Sequence, residues 1–421
     1  MAAAAVQTPA APRPPGQPDI TYAPDMVKYQ QRTARRLRDE VLSRELPEGF
    51  PAELKGDLVW DGETLTASSD WTYVLSPEQL AEIDAAVKHF KSLGLPLGHV
   101  DATTFPLPNL RPELRRLSRE LHLGRGFFVI RGVPVDAYTR EENVVIYAGV
   151  SSHVAAIRGR QDHVYEGKAA DVTLTHIVDL SSRRSGTGTG SGSVIGSPAY
   201  TADKQVFHTD SGDVVSLFAL GEAASGGASK LASTWRVYNE LARTRPDLVR
   251  TLTEDWPVEN FGKSHNSRFF LRPLIYHQPA RADGTAPERV LLQYARRNFV
   301  GFGALPRGAD VPALTEAQAE ALDALHFLGE RFHVATDFRK GDMQYVNNVA
   351  VFHARDGFTD TPEKQRHLVR LWLRDPEYAW DTPEKLRQRW DGVYAGITAE
   401  AQVLPLEPFV RGAANGGARK A

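Results

Sequence analysis

The spacing of apolar positions changes near residue 127, and the change predicts where helices give way to strands. In LSPEQLAEIDAAVKHF, Leu80, Ile83, Val87 and Phe90 recur at helical spacing and share one face. Ser76 is the expected N-cap, Pro77 opens the helix and Gln79 completes a capping box. A second helix is expected over PELRRLSRELHLG, stopped by Gly124. Further upstream, MVKYQQRTARRLRDEVL reads as a basic, solvated helix clasping the domain surface. FFVIRGV (127–133) then reads as a buried strand.

From there short runs rich in β-branched and aromatic residues dominate. HIVDL (176–180), QVFHT (205–209), DVVSLFALG (213–221), FFLRPLIYH (269–277), RVLLQYA (289–295), MQYVNNVAVFH (343–353) and RHLVRLWLR (366–374) are the expected strands. Helical patterns at 236–243, 246–254 and 315–333 interrupt them. The spacing is irregular, without a βαβ rhythm. It predicts a mainly β fold, an antiparallel sandwich or barrel with helices packed outside. Residues 1–70 are expected to form an N-terminal tail and helical extension, 71–400 the main domain, and 401–421 a C-terminal tail. The Gly/Ser-rich stretch 181–202 reads equally well as a linker or as an active-site lid.

Composition narrows the chemistry. The 421 residues carry 50 Lys+Arg against 52 Asp+Glu, a formal charge of −2, so the basic footprint of a nucleic-acid binder is absent. There are no cysteines, which excludes disulfides, thiol catalysis, iron–sulfur clusters and Cys-ligated zinc. Any metal must be held by His and oxygen donors. No apolar run approaches the ~18–20 residues of a membrane span. The Ala/Pro-rich start makes a poor signal peptide, so a cytoplasmic location and no membrane partner are expected. Nothing in the pattern sets an oligomeric state.

Three places carry candidate chemistry. In VFHTDSGD, His208 and Asp210 are two apart, and on a strand such residues project to one face. An imidazole and a carboxylate pointing together make two-thirds of the 2-His-1-carboxylate set that holds non-heme Fe(II). With 13 His and 52 acidic residues, about one or two such pairs arise by chance, so the pair alone is weak. In YVNNVAVFHARDGFTD, His353 closes an apolar strand and is either a core histidine or a distant third ligand. In RHLVRLWLR, Arg366, Leu368, Arg370, Trp372 and Arg374 share one face and His367, Val369, Leu371 and Leu373 the other. Arginines in solvent with aliphatics in the core is the plain interpretation. Leu368 and Trp372 on the arginine face point instead to partial enclosure, and enclosed guanidiniums need anions.

Taken together, HTDSGD, GGASKLASTWRVYNEL, NNVAVFHARDGFTD and RHLVRLWLR, preceded by GRGFFVIRGVPV, resemble the taurine dioxygenase-like (TauD/TfdA) family of Fe(II)/2-oxoglutarate-dependent oxygenases over about residues 70–376. The resemblance implies a double-stranded β-helix, a jelly-roll variant, buttressed by helices. It implies Fe(II) at His208, Asp210 and His353, with 2-oxoglutarate and O2 as cosubstrates. Arg366 matches the arginine that salt-bridges the distal carboxylate of 2-oxoglutarate, and Ser229 the hydroxyl that supports it. Arg370 matches an arginine that grips the anionic end of substrate in the family's namesake. Lys204 stands where the namesake has a polar amide and is a candidate substrate contact. The implied reaction is oxidation of an unactivated C–H bond of a small, carboxylate-bearing molecule, releasing succinate and CO2. Hydroxylation, desaturation and ring closure are open to the same residues. The alternative is a metal-binding jelly roll, sensor or structural, without oxygenase activity. Arg366 separates the two, because a structural metal has no need of a buried arginine.

Overall fold

The structure, a computed structural model, describes residues 13–67, 71–181, 195–260, 268–284, 286–303 and 305–412. Its centre is two sheets. The larger, of seven strands among the described residues, runs Thr72–Val74, Phe127–Arg131, Met343–Asn347, Val214–Gly221, His367–Arg374 and Ile157–Arg158, with Leu174–Ile177 also paired to His367–Arg374. The smaller runs Val334–Thr336, Ser229–Ser233, Val351–Arg355 and Gln205–His208. Apart from the parallel contact of Thr72–Val74 with Phe127–Arg131, pairing within both is antiparallel. The expected jelly-roll architecture with flanking helices is the one observed.

Strand alternation decides what lies between the sheets. On the larger sheet Phe128, Ile130, Tyr345, Phe218, Val369 and Leu371 point outward into a core shared with the helices Pro77–Ser92, Arg111–Leu123 and Arg140–Val154. On the smaller sheet Phe207 and Phe352 point outward to a core with Thr234–Thr244, Pro246–Thr253 and Glu316–Phe332. Gly329 permits the close approach of that last helix, since a Cβ there would meet the Phe207 ring at 2.9 Å. The intervening residues of each strand face inward, and Ser229 Oγ and Thr336 Oγ1 both donate across the gap to Gln344 Oε1 at 3.2 and 2.9 Å. The two outer faces bury the apolar area that drives folding, which leaves the inner space free for polar side chains.

The capping box at Ser76 and Gln79 forms, and Arg111–Leu123 ends at Gly124. Two expected strands divide. MQYVNNVAVFH breaks at 348–350 into Met343–Asn347 and Val351–Arg355, which belong to different sheets, so His353 lies mid-strand instead of closing one. FFLRPLIYH breaks around Pro273, which has no N–H for a ladder, into Phe269–Arg272 and Ile275–Gln278, each in its own hairpin. The basic helix, Met26–Asp39, clasps Glu316–Phe332 as expected, but Arg32 and Arg36 are buried, not solvated. The C-terminal stretch is not a free tail through residue 412. Gln402–Val403 pairs with Lys168–Val172, and Arg411 packs on Trp372. Of the Gly/Ser-rich stretch, 182–194 lie outside the described residues, while Pro198–Tyr200 is a buried turn. Among the described residues no helix is long and apolar enough to cross a membrane.

Candidate metal centre

The register of two strands brings the histidines together. His353 and His208 are direct Cα partners across the Val351–Arg355/Gln205–His208 pair, and their rings lie 4.1 Å apart. Both face the space between the sheets. Asp210 reaches them by a different route from the one the i, i+2 spacing implies. The strand ends at His208, and Asp210 sits in the following turn. That turn is tied down by the buried Asn348, whose Oδ1 accepts from the Asp210 N–H at 2.7 Å. The Asn348 Nδ2 donates to the carbonyls of Asp210 and Gly212 at 2.9 and 2.7 Å. One ligand atom each from His208, Asp210 and His353 then lie within 4.8 Å of one another.

Second contacts orient these groups. His208 Nδ1 donates to the Val206 carbonyl at 2.9 Å, which leaves the Nε2 lone pair facing inward. Asp210 divides its oxygens. Oδ1 lies 3.9 Å from His208 Nε2, while Oδ2 accepts from Arg370 Nη1 at 2.7 Å and from the Trp372 indole N–H at 3.2 Å. Burial pushes His353 down to about 3, with His208 adding to the shift, and burial lowers His208 as well. Both imidazoles are therefore neutral at pH 7, the form that ligates a metal. Burial works to raise Asp210, but the charge of Arg370 outweighs it and holds the carboxyl well below its usual range.

These residues fit a resident Fe(II). Two neutral imidazoles and one carboxylate form the donor set non-heme iron takes, and His353 Nδ1 is a buried ring nitrogen with no partner. Arg366 is buried just before the His367–Arg374 strand, its guanidinium 5.4 Å over the Phe358 ring and its Nη1 without a partner. Burial and the nearby Arg355 depress it to about 9. Gly227, at φ +77°, gives it room, since a Cβ there would stand 3.2 Å from Arg366 Cδ and Nε. Ser229 is buried on the inner face and donates to Gln344.

Two sequence expectations need correction. Arg370, matched by resemblance to an arginine that grips the anionic end of substrate, meets a protein carboxylate. The carboxylate has two oxygens, and the one turned from His208 holds Arg370, whose Nε also donates to Gln161 Oε1 at 2.9 Å. Lys204 turns its ammonium to Glu330 at 2.6 Å, half-exposed, on the helix side of the smaller sheet. Its neighbour Gln205 is the side chain that meets His208 Nε2, at 3.0 Å. Sequence reasoning missed Asn348 and Gln161. The only signal for the first was a polar Asn pair inside an apolar run, where a buried amide needs partners. Gln161 carried none, because its partners come from distant strands.

The family model for the taurine catabolism dioxygenase TauD, TfdA family matches residues 90–372. A curated relative, the taurine hydroxylase-like protein SAT17 of Stachybotrys chartarum, is 34% identical over 382 residues, covering 89% of this chain and 94% of its own. FR-33289 synthase of Streptomyces rubellomurinus is 26% identical over 324 residues, 76% of this chain and 89% of its own. Among solved structures, asparagine oxygenase with Fe(II), hydroxyasparagine and succinate matches with TM-score 0.52 at 14% identity, covering 74% of this chain and 98% of that one. The fold is shared at that distance. The chain belongs to the taurine catabolism dioxygenase TauD, TfdA family, and is a non-heme Fe(II)/2-oxoglutarate-dependent dioxygenase.

Proposed function

We propose that His208, Asp210 and His353 hold the iron, that Arg366 with Ser229 receives the distal carboxylate of 2-oxoglutarate, and that the enzyme hydroxylates an unactivated C–H bond of a small anionic molecule. The observation that carries this is the presence, beside a three-ligand site, of a buried arginine whose Nη1 has no hydrogen-bond partner. A metal site of purely structural use has no need of such a cation, which is costly to bury without an anion. Iron and 2-oxoglutarate together supply the oxidising power, with succinate and CO2 as by-products. The chain supplies placement. His208 and His353 are kept neutral by burial, Asp210 is kept ionised by Arg370, and the apolar walls of Ile177, Ala219 and Leu368 keep water from the inner space. The solved asparagine oxygenase holds hydroxyasparagine and succinate, and the non-heme iron oxygenase OrfP holds (3S)-hydroxy-L-arginine, which supports a small-molecule substrate. The earlier expectation of a substrate carboxylate on Arg370 loses its support, because Asp210 already matches that charge. The test is succinate release from 2-oxoglutarate by the Fe(II)-loaded protein, screened against amino acids, sulfonates and other small anions. No succinate under any of these conditions would sink the reading.

A further inference from the structure

The family match ends at Trp372, and Trp372 is where the chain beyond it meets the metal carboxylate. The Trp372 indole N–H donates to Asp210 Oδ2 at 3.2 Å. Its ring clusters with Val215 and Val393, and Tyr394 packs against that cluster. Val393 and Tyr394 belong to the helix Glu384–Tyr394, and Tyr394 Oη donates to the Leu373 carbonyl at 2.8 Å. Arg389 of the same helix donates from Nε to Ser211 Oγ at 3.0 Å, one residue beyond Asp210.

Past that helix the chain returns as a strap. Gln402–Val403 pairs with Lys168–Val172, the Pro405 carbonyl accepts from His176 Nε2 at 2.8 Å, and Phe409 meets the Tyr165 ring edge-on. The Gly412 N–H donates to Asp162 Oδ2 at 2.7 Å. These contacts lie on both sides of Arg411 and do not use its side chain, which turns to the site. The Arg411 guanidinium lies 5.5 Å over the Trp372 ring, Nε donates to Tyr200 Oη at 3.1 Å, and Nη1 donates to the Gln161 carbonyl at 3.2 Å. Arg370 lies over the same ring at 5.2 Å and donates from Nε to Gln161 Oε1 at 2.9 Å. Arg411 and Arg370 therefore share two residues, Trp372 and Gln161. Arg370 and Trp372 are in turn the two donors to Asp210 Oδ2.

Resting on the iron-ligand reading above, we propose that Arg411 is a positioning residue of the metal site: it clamps Trp372 and Gln161, and through them keeps Asp210 turned with Oδ1 to the histidines. An indole serves a carboxylate only while its ring keeps one tilt, and a cation over the ring face restrains that tilt. The bond to the Gln161 carbonyl fixes the backbone from which Oε1 reaches Arg370. Arg411 touches neither the metal position nor Asp210 itself, so it acts wholly through these two neighbours. Direct outer partners of a metal ligand are worth about 10- to 100-fold in metal affinity. Arg411 stands one residue further out, and its share is smaller, about three- to tenfold. A residue outside the matched segment thus helps to set the aim of a ligand inside it.

The experiment is anaerobic titration of the metal-free full chain with Fe(II), and with Co(II), whose visible absorption reports the arrangement of its ligands. Arg411→Ala should weaken both metals about three- to tenfold and shift the Co(II) band. Arg411→Lys should recover part of the loss, and the remote Arg38→Gln should change nothing. Tyr200→Phe removes only the hydroxyl that holds Arg411 Nε and should act in the same direction, which keeps the test decisive if Arg411→Ala fails to fold. Trp372→Phe deletes the indole N–H. Combined with Arg411→Ala, the two losses should fall short of their sum, because one acts through the other. Fully additive losses, or unchanged affinity in both Arg411→Ala and Tyr200→Phe, overturn the clamp. Loss of substrate oxidation at unchanged metal affinity also overturns it and gives Arg411 to the substrate. An unaltered protein that binds neither metal sinks the iron-ligand reading and the clamp with it, whereas tight binding that ignores Arg411 sinks the clamp alone.

Discussion

Asp210 is the residue on which the site turns, because one oxygen faces the histidines while the other is held by Arg370 and Trp372. Arg370 is thus a positioning residue. Arg370→Leu removes the partner that keeps Asp210 ionised and aimed. Fe(II) affinity should fall about 10- to 100-fold, as for other outer contacts of a metal site. Substrate oxidation and substrate-free 2-oxoglutarate turnover should fall together, and an Fe(II) titration of the variant checks the first point. Retention of normal iron affinity would return Arg370 to the substrate. Arg366 behaves differently. Its buried Nη1 has no hydrogen-bond partner, and burial with the nearby Arg355 outweighs the pull of Asp360 on its charge, so Arg366→Ala should leave the melting temperature of the iron-free protein unchanged or higher. The same change should raise the apparent constant for 2-oxoglutarate at least tenfold, since a charge-assisted hydrogen bond contributes about 1.5–3 kcal/mol. Steady-state kinetics and a thermal melt read the two halves.

At the scale of elements, the helix Met26–Asp39 shows how a charge pattern misleads without its partner. Its arginines read as a solvated face, but Arg32 and Arg36 are buried against acidic groups of Glu316–Phe332. Arg32 meets Asp323 at 2.7 Å, and Arg36 meets the fully buried Glu320, which Arg245 also holds. Removing one partner leaves a buried charge under-matched. Arg36→Ala should cost about 3 kcal/mol, the low end for a broken buried pair because Arg245 remains. Urea denaturation of the variant measures it, and a loss below about 1 kcal/mol would mark the clasp as the ordinary surface pair the sequence suggested. The divided strands carry the same lesson. Period-2 patterning runs straight through MQYVNNVAVFH, while the chain changes sheets at Asn348, whose side chain is spent on the Asp210 turn.

For the whole molecule, buried histidines set the response to acid. Burial lowers His122, His153 and His176, and takes His326, away from the metal, down to about 3. In the unfolded chain such groups take up protons near pH 6.5. Below that value the unfolded state binds more protons than the folded one, so stability falls as pH drops from about 6.5 towards 3. Asp213, pushed up to about 6 by burial, works the other way over part of this range, as do Asp323 and Glu254, which burial also raises. The melting temperature should therefore fall steadily between pH 7 and pH 4, and His326→Gln should make the fall shallower. An unchanged slope in that variant would show that His326 stays neutral in neither state's favour. What the sequence determined by itself was local: the capped helix at Ser76, most strand positions, the His208–Asp210 and His353 candidates, and the arginine-bearing face of 366–374. Periodicity and spacing encode these because they depend on neighbours within a few residues. Tertiary structure decided the rest. It set His353 opposite His208, gave Arg370 to Asp210 through the oxygen turned from His208, buried the basic helix, and brought Arg389 and Arg411 back from beyond the matched segment. Each of these depends on a partner more than about a hundred residues away or on which atom of a side chain faces which neighbour, and no periodicity along the chain records either.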